Sequence, residues 1–212
     1  MYIQTEGIVL KQVKTMNGRR MITIFSKIYG KISCGSSITE GGKNKTALAL
    51  RPFTYGKYEL FKGRETYNIQ GAETLKSYYG IGEDVDKYMA ASYVLELTEK
   101  VLMDEEAQPK LFMYLLDFFE MLEKRKKSFN TLVIGYQVKM LDLQGLTASE
   151  GLKSKANADI IGILKYIEEN KLRDLENLAL NSDVENEIKL LLKDYFAFHL
   201  GVENLKSESL LV

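Results

Sequence analysis

The chain changes its hydrophobic period once. From Tyr2 to about Glu73 apolar and polar positions alternate in short runs, and beyond Tyr79-Gly80-Ile81-Gly82 apolar positions recur every three or four residues. Alternation sends successive side chains to opposite faces of a strand, whereas a 3.6-residue period gathers them on one face of a helix. Five strands are predicted on this basis: Tyr2 to Val13, Arg20 to Phe25, Lys31 to Cys34, Phe53 to Phe61 and Thr66 to Glu73. Asn17-Gly18, Tyr29-Gly30 and Lys62-Gly63-Arg64-Glu65 are the turn signals between them. Glu40-Gly41-Gly42-Lys43-Asn44-Lys45, rich in glycine and lysine, reads as a long loop after the third strand. A sheet of this size is expected to close on itself, because an open one would leave unpaired edges.

The second half predicts helices. Tyr88, Leu95 and Leu102 recur at sevens, with Ala91 and Thr98 between them. Pro109 suits the first turn of a second helix, preceded by the acidic Asp104-Glu105-Glu106 and carrying Leu111, Leu115, Phe118 and Leu122 on one stripe. A third runs from about Asn130 to Leu143 with Leu132, Tyr136 and Met140 facing inward. Ile160, Leu164 and Ile167 mark a fourth, and Ile188, Leu192, Tyr195 and Phe198 a last one. The expected organisation is an α+β chain of two domains, a β domain over residues 1–80 and an all-α domain over residues 81–212.

Composition changes this picture through charge. The formal net charge is zero, yet residues 1–80 hold 13 Lys and Arg against 5 Asp and Glu, and the rest of the chain is acidic by the same margin. Halves of opposite sign imply modules with different partners, and the basic half is the one able to neutralise phosphates. Its cations fall mainly at connections: Arg19 and Arg20 at the first turn, Lys31 after the second, Lys43 and Lys45 in the long loop, Arg51 at its end, and Lys62 and Arg64 at the last hairpin. Tyr29, Tyr55, Tyr58, Phe61 and Tyr67 are the aromatic candidates for stacking on bases, although alternation turns about half of them into the core.

Catalytic constellations are scarce. One histidine, His199, and one cysteine, Cys34, leave little for a nucleophilic triad, and both read as packing residues. The stretch Gly35 to Asn44 is no P-loop: Ser37 stands where the first glycine belongs and Asn44 where a hydroxyl should hold magnesium. A single cysteine excludes an intrachain disulfide and an all-cysteine metal site. The opening residues read as a strand with no basic leader, and no apolar stretch approaches the roughly 18 residues of a membrane span. A cytoplasmic protein with no membrane partner and no cofactor is expected.

Several runs resemble one family. Glu6-Gly7-Ile8-Val9-Leu10-Lys11 is similar to the opening strand of RecO recombination proteins, as is Ile22 to Ile32 with its Tyr29-Gly30-Lys31 turn. Leu50-Arg51-Pro52-Phe53 with Tyr58-Glu59-Leu60 resembles the family's fourth strand, and Phe198-His199-Leu200-Gly201 with Leu205-Lys206-Ser207 its closing helix and tail. The resemblance implies an N-terminal OB barrel, in which the first-turn and last-hairpin loops border the face that grips single strands. It further implies a non-enzymatic mediator of the RecF pathway, nucleoid-associated in a bacterial cytoplasm. Such proteins bind single- and double-stranded DNA, anneal complementary strands, and with RecR help RecA replace single-strand-binding protein (SSB), whose acidic C-terminal tail docks on the helical domain. Lys124-Arg125-Lys126-Lys127 is the basic run in the acidic half to examine for that tail. The four-cysteine zinc module of many relatives has no counterpart, since Leu146 to Asp159 is short and lacks cysteine. The competing reading is an adaptor whose basic barrel holds an acidic protein, and a small enzyme hidden in the helical half is a third, disfavoured by the scarcity of His and Cys.

Overall fold

A computed structural model describes residues 1–16, 19–37, 45–64 and 66–207, with Lys45 described by its backbone alone. These residues form two compact units, one made of Met1–Glu83 with Thr98–Phe112 and the other of Asp84–Leu97 with the chain from Met113 onward.

The first unit is a closed barrel of β1 (Tyr2–Lys14), β2 (Arg20–Ser26), β3 (Gly30–Ser36), β4 (Thr54–Lys62) and β5 (Tyr67–Ser77), in the order β1-β2-β3-β5-β4. All neighbours are antiparallel except β3 and β5. This is the small barrel of OB type that the resemblance implies. Alternation fills its interior with Ile3, Val9, Ile22, Ile24, Ile32, Cys34, Tyr58, Leu60, Tyr67 and Ile69. Leu50 plugs one end just after a short helix, α1 (Lys45–Ala49), which the glycine- and lysine-rich composition of the preceding residues concealed. The Tyr58 hydroxyl donates to the Ala49 carbonyl at 2.8 Å and so ties α1 to the barrel.

Thr98–Phe112 is an addition to the barrel that the periodicity did not separate from the helical half. Ile8, Leu10 and Phe25 are buried yet point outward from the barrel interior, and the Phe112 ring meets Phe25 edge to face with centroids 5.4 Å apart. Two backbone features hold the segment. The Glu105 amide donates to the Lys31 carbonyl at 3.0 Å, and Gly30, at φ +71°, lies where any Cβ would run into the Glu106 backbone. Glycine meets both demands of that position, a left-handed backbone and a close approach.

The second unit is helical: α2 (Val85–Val101), α3 (Pro109–Lys124), α4 (Phe129–Leu143), α5 (Ala148–Gly151), α6 (Ala158–Glu169) and α7 (Ser182–Leu200), the ends of α2 and α3 lying in the first unit. Asn157 and Asn181 cap α6 and α7 by accepting from the amides of Ile160 and Val184, and Gly201 ends α7 in the left-handed conformation. α4 is buried from Thr131 to Leu141, as befits a central helix. Its polar groups find partners: Lys139 donates to the Glu168 carbonyl at 2.7 Å, Gln137 to the Tyr93 hydroxyl at 2.9 Å, and Thr131 to Glu185. Burial holds the Lys139 ammonium below its ordinary range.

Two positions of the helical repeat lie outside the core. Phe198 is 84% exposed, because Phe196, one turn after Leu192, takes the core position. Tyr88 is also exposed, since it lies in the first turn of α2 and the buried stripe begins at Ala90 and Ala91.

Candidate nucleic-acid interface

The strand registers define a row of outward side chains around the barrel. Tyr2 pairs with Phe61, Phe61 with Asn68, Asn68 with Gly35, Gly35 with Met21, and Met21 with Val13. Every member but Val13 neighbours a core residue of opposite parity: Ile3, Leu60, Tyr67, Cys34 and Ile22. The row leaves β1 at Tyr2 and returns to it at Val13, eleven residues further on, which is the stagger that closes a five-stranded barrel. It is therefore a spiral.

Much of the spiral row is apolar and faces water. Tyr2 is 73% exposed, Val13 47% and Phe61 37%. The Tyr2 and Phe61 rings meet edge to face with centroids 5.1 Å apart. Large exposed hydrophobic residues in one row mark a binding surface more than scattered ones do. Gly35 supplies a low point between Asn68 and Met21, where an added Cβ would press on the Asn68 amide at 3.3 Å.

Cationic loops border this row on both sides. The β1–β2 connection, with Lys14 and Arg19, lies on one side, and the β4–β5 hairpin, with Lys62 and Arg64, on the other. The Arg19 carbonyl accepts from both the amide and the hydroxyl of Thr15, at 2.7 and 2.8 Å, which fixes the base of the first connection. Lys14, Arg19 and Arg64 are exposed and make no ion pair among the described residues.

The remaining expected cations are deployed differently. Arg20 has inward parity at the barrel end, where its guanidinium lies 3.1 Å from the Gln12 side-chain oxygen once that amide is oriented to donate to Leu50. Lys31 is drawn to Asp104 at 3.2 Å and donates to the Glu99 carbonyl at 3.1 Å. Lys62 pairs with Glu105 at 2.7 Å and lies over the Tyr67 ring at 5.0 Å. The Glu105 carboxylate holds the Lys62 ammonium above its ordinary range. Lys11, not singled out from the sequence, pairs with Glu99 at 3.1 Å. Arg51 stacks on the Tyr79 ring at 5.7 Å, beside the far end of β5, roughly 30 Å along that strand from Asn68. Lys43 lies outside the described residues, as does the Lys45 side chain.

Of the five aromatic candidates only Phe61 is presented. Tyr58 and Tyr67 are core residues, Tyr29 packs against the core, and Tyr55 is half-buried with its hydroxyl on Glu6 at 2.7 Å. Tyr2 was missed, although alternation with the core residue Ile3 already turns it outward.

Neither the cysteine nor the histidine is placed as a nucleophile. Cys34 is buried in the barrel, and burial pushes its thiol up to about 12. The exposed His199 ring lies on α7 between Tyr195 and Phe198, with centroids at 4.3 and 4.8 Å. Among the described residues no three His, Cys, Asp or Glu side chains gather into a metal site, and no helix is long and apolar enough to cross a membrane. Within the run Lys124 to Lys127, the Arg125 guanidinium is committed to the carbonyls of Lys127, Glu176 and Leu178, so it is a structural clamp.

The fold and its surface define a class: an OB barrel with an exposed aromatic and cationic face, followed by a helical unit. The comparisons narrow that class. The model of the recombination protein O N-terminal domain matches residues 1–78, and that of its C-terminal domain matches residues 82–150. The DNA repair protein RecO of Alkaliphilus metalliredigens is 25% identical over 239 aligned residues, covering 98% of this chain and 97% of that protein. Those of Acetivibrio thermocellus and Clostridium perfringens are 28% and 26% identical over 144 and 143 residues, covering 68% of this chain and 57% and 58% of theirs. The chain belongs to the RecO family.

Proposed function

We propose that this protein is a non-enzymatic, DNA-binding recombination mediator that acts in DNA repair through the RecF pathway. Single-stranded DNA lies along the spiral row, with bases against Tyr2 and Phe61 and phosphates on Lys14, Arg19 and Arg64. The observation that carries this reading is the row itself: exposed rings on a barrel exterior, bordered on both sides by cations that have no ion-pair partner among the described residues. A shallow surface of this kind screens phosphate repulsion while leaving the base edges accessible, which is what annealing two complementary strands requires. RecA loading onto SSB-coated single strands, double-stranded DNA as a second ligand, RecR and the SSB tail as partners, and a nucleoid-associated place in a bacterial cytoplasm complete the proposal; family membership supports them. Arg20, Lys31, Lys43, Lys45, Arg51 and Lys62 were included in the site on charge. Lys14, Arg19 and Arg64 are its core in the free protein because their charge is available.

Fluorescence anisotropy of a labelled single strand, titrated at several salt concentrations, tests the reading. Three phosphates held by these cations predict a slope of log affinity against log salt of about −2. No binding at low salt contradicts it and favours an adaptor whose barrel holds an acidic protein.

A further inference from the structure

Three lysines on the barrel are neutralised by one short stretch of the same chain. Glu99 takes Lys11, Asp104 takes Lys31 and Glu105 takes Lys62. All three lysines lie on the side of the spiral row that holds the β4–β5 hairpin, so the carboxylates line one border of the proposed DNA path. A carboxylate presents to an ammonium the same charge and oxygen geometry as a backbone phosphate. We propose that the Glu99–Glu106 segment occupies barrel lysines in place of DNA phosphates, and that a bound strand gains Lys62 by displacing Glu105. The inference rests on the single-strand reading above and adds its regulation.

The geometry separates what is fixed from what can move. The backbone of the segment is pinned by the Glu105 amide on the Lys31 carbonyl, by Glu106 against Gly30, and by buried Leu102 and Phe112. The two acidic side chains are not. Asp104 is 82% and Glu105 52% exposed, so each rotates into solvent without disturbing packing. The Lys62–Glu105 pair is exposed on both sides and weak, and a polyanion that releases condensed counterions competes with it effectively. Lys31, only 19% exposed and bonded to the Glu99 carbonyl, keeps its place. Glu99 differs: its carboxylate is only 20% exposed and lies in a helix, so Lys11 stays paired. Strand release then returns Glu105 to Lys62, which favours short residence at each position, as an annealer requires.

The test compares the full-length protein with D104N/E105Q, using a labelled oligothymidylate and anisotropy across a salt series. Relief of the self-pairing is expected to tighten binding at low salt by about three- to tenfold. The strand reaches Lys62 in both proteins, so the salt slope is expected to stay close to that of the wild type. Because removing any negative charge aids DNA binding slightly, E105Q is also measured in a K62Q background, where the specific gain should vanish. Circular dichroism and a thermal melt verify that the amide variants fold, and E105Q alone serves if the double variant does not. Unchanged affinity in the variants overturns the inference and leaves the single-strand reading standing. A gain that persists in the K62Q background overturns it too, because it would come from bulk charge. Absence of binding by every protein removes the single-strand reading itself, and the inference with it.

Discussion

The two borders of the spiral row carry their cations in different states. Among the described residues, Lys14 and Arg19 on the β1–β2 side and Arg64 on the other are exposed and unpaired, whereas Lys11, Lys31 and Lys62 are held by the chain's own carboxylates. Counting charges in residues 1–80 therefore overstates the charge available to a ligand. A basic module reads as a phosphate surface only after its internal partners are subtracted, and here the partners come from a segment that lies beyond the barrel in sequence.

Charge reversal breaks the comparison most strongly. R19E/R64E is expected to weaken single-strand binding by about ten- to a hundredfold at low salt and to flatten the salt slope by about 1.4, measured by anisotropy. Truncating the rings comes next. Y2A/F61A is expected to cost about 1–3 kcal/mol per base no longer stacked, with the salt slope unchanged, so the two variants separate phosphate from base contacts. G30A attacks the paired border through its backbone, combining a left-handed φ with a collision at Glu106. It is expected to destabilise the fold by about 1–3 kcal/mol in urea unfolding.

Shielded groups of the barrel add a pH dependence. Burial raises the Cys34 thiol from 9.0 to about 12, and burial together with Glu6 raises the Tyr55 hydroxyl from 10.0 to about 12. Burial also raises Tyr58. The folded state favours the protonated form of each, so their contribution is complete below the unfolded values and is lost as pH rises through the folded ones. Denaturant midpoints are expected to be level up to about pH 9 and to fall between pH 9 and 12, with Cys34 unreactive to thiol reagents until the barrel opens. The smallest effect belongs to K31Q, which removes a charge already neutralised. It is expected to change DNA affinity by less than about twofold, against a clear loss for R19Q.

Much of the barrel was legible because alternation is a local signal. Each predicted strand agrees with an observed one to within a few residues, and Ile22, Ile24, Ile32 and Leu60 turn inward where the pattern sends them. The site was legible in part. Arg19 and Arg64 stand at the expected loops, while Tyr58 and Tyr67 were offered as stacking residues and are core. Parity alone would have sorted them, as it would have found Tyr2. The pairing of Lys31 and Lys62 was not legible. Their partners lie 73 and 43 residues away, and Asp104-Glu105-Glu106 reads locally as the acidic approach to a helix N-terminus. Phe198 was counted in the last helical repeat on spacing that Phe196 satisfies equally well, and only packing distinguishes them.

The central claim is that single-stranded DNA lies on the spiral row between its two cationic borders. Ultraviolet crosslinking of an oligothymidylate to the full-length protein, with adducts mapped by mass spectrometry, tests it most directly. The account predicts adducts on the peptides that contain Tyr2 and Phe61, both lost in R19E/R64E. Adducts confined to the Arg51–Tyr79 groove or to the helical unit, with none on Tyr2 or Phe61, would contradict it.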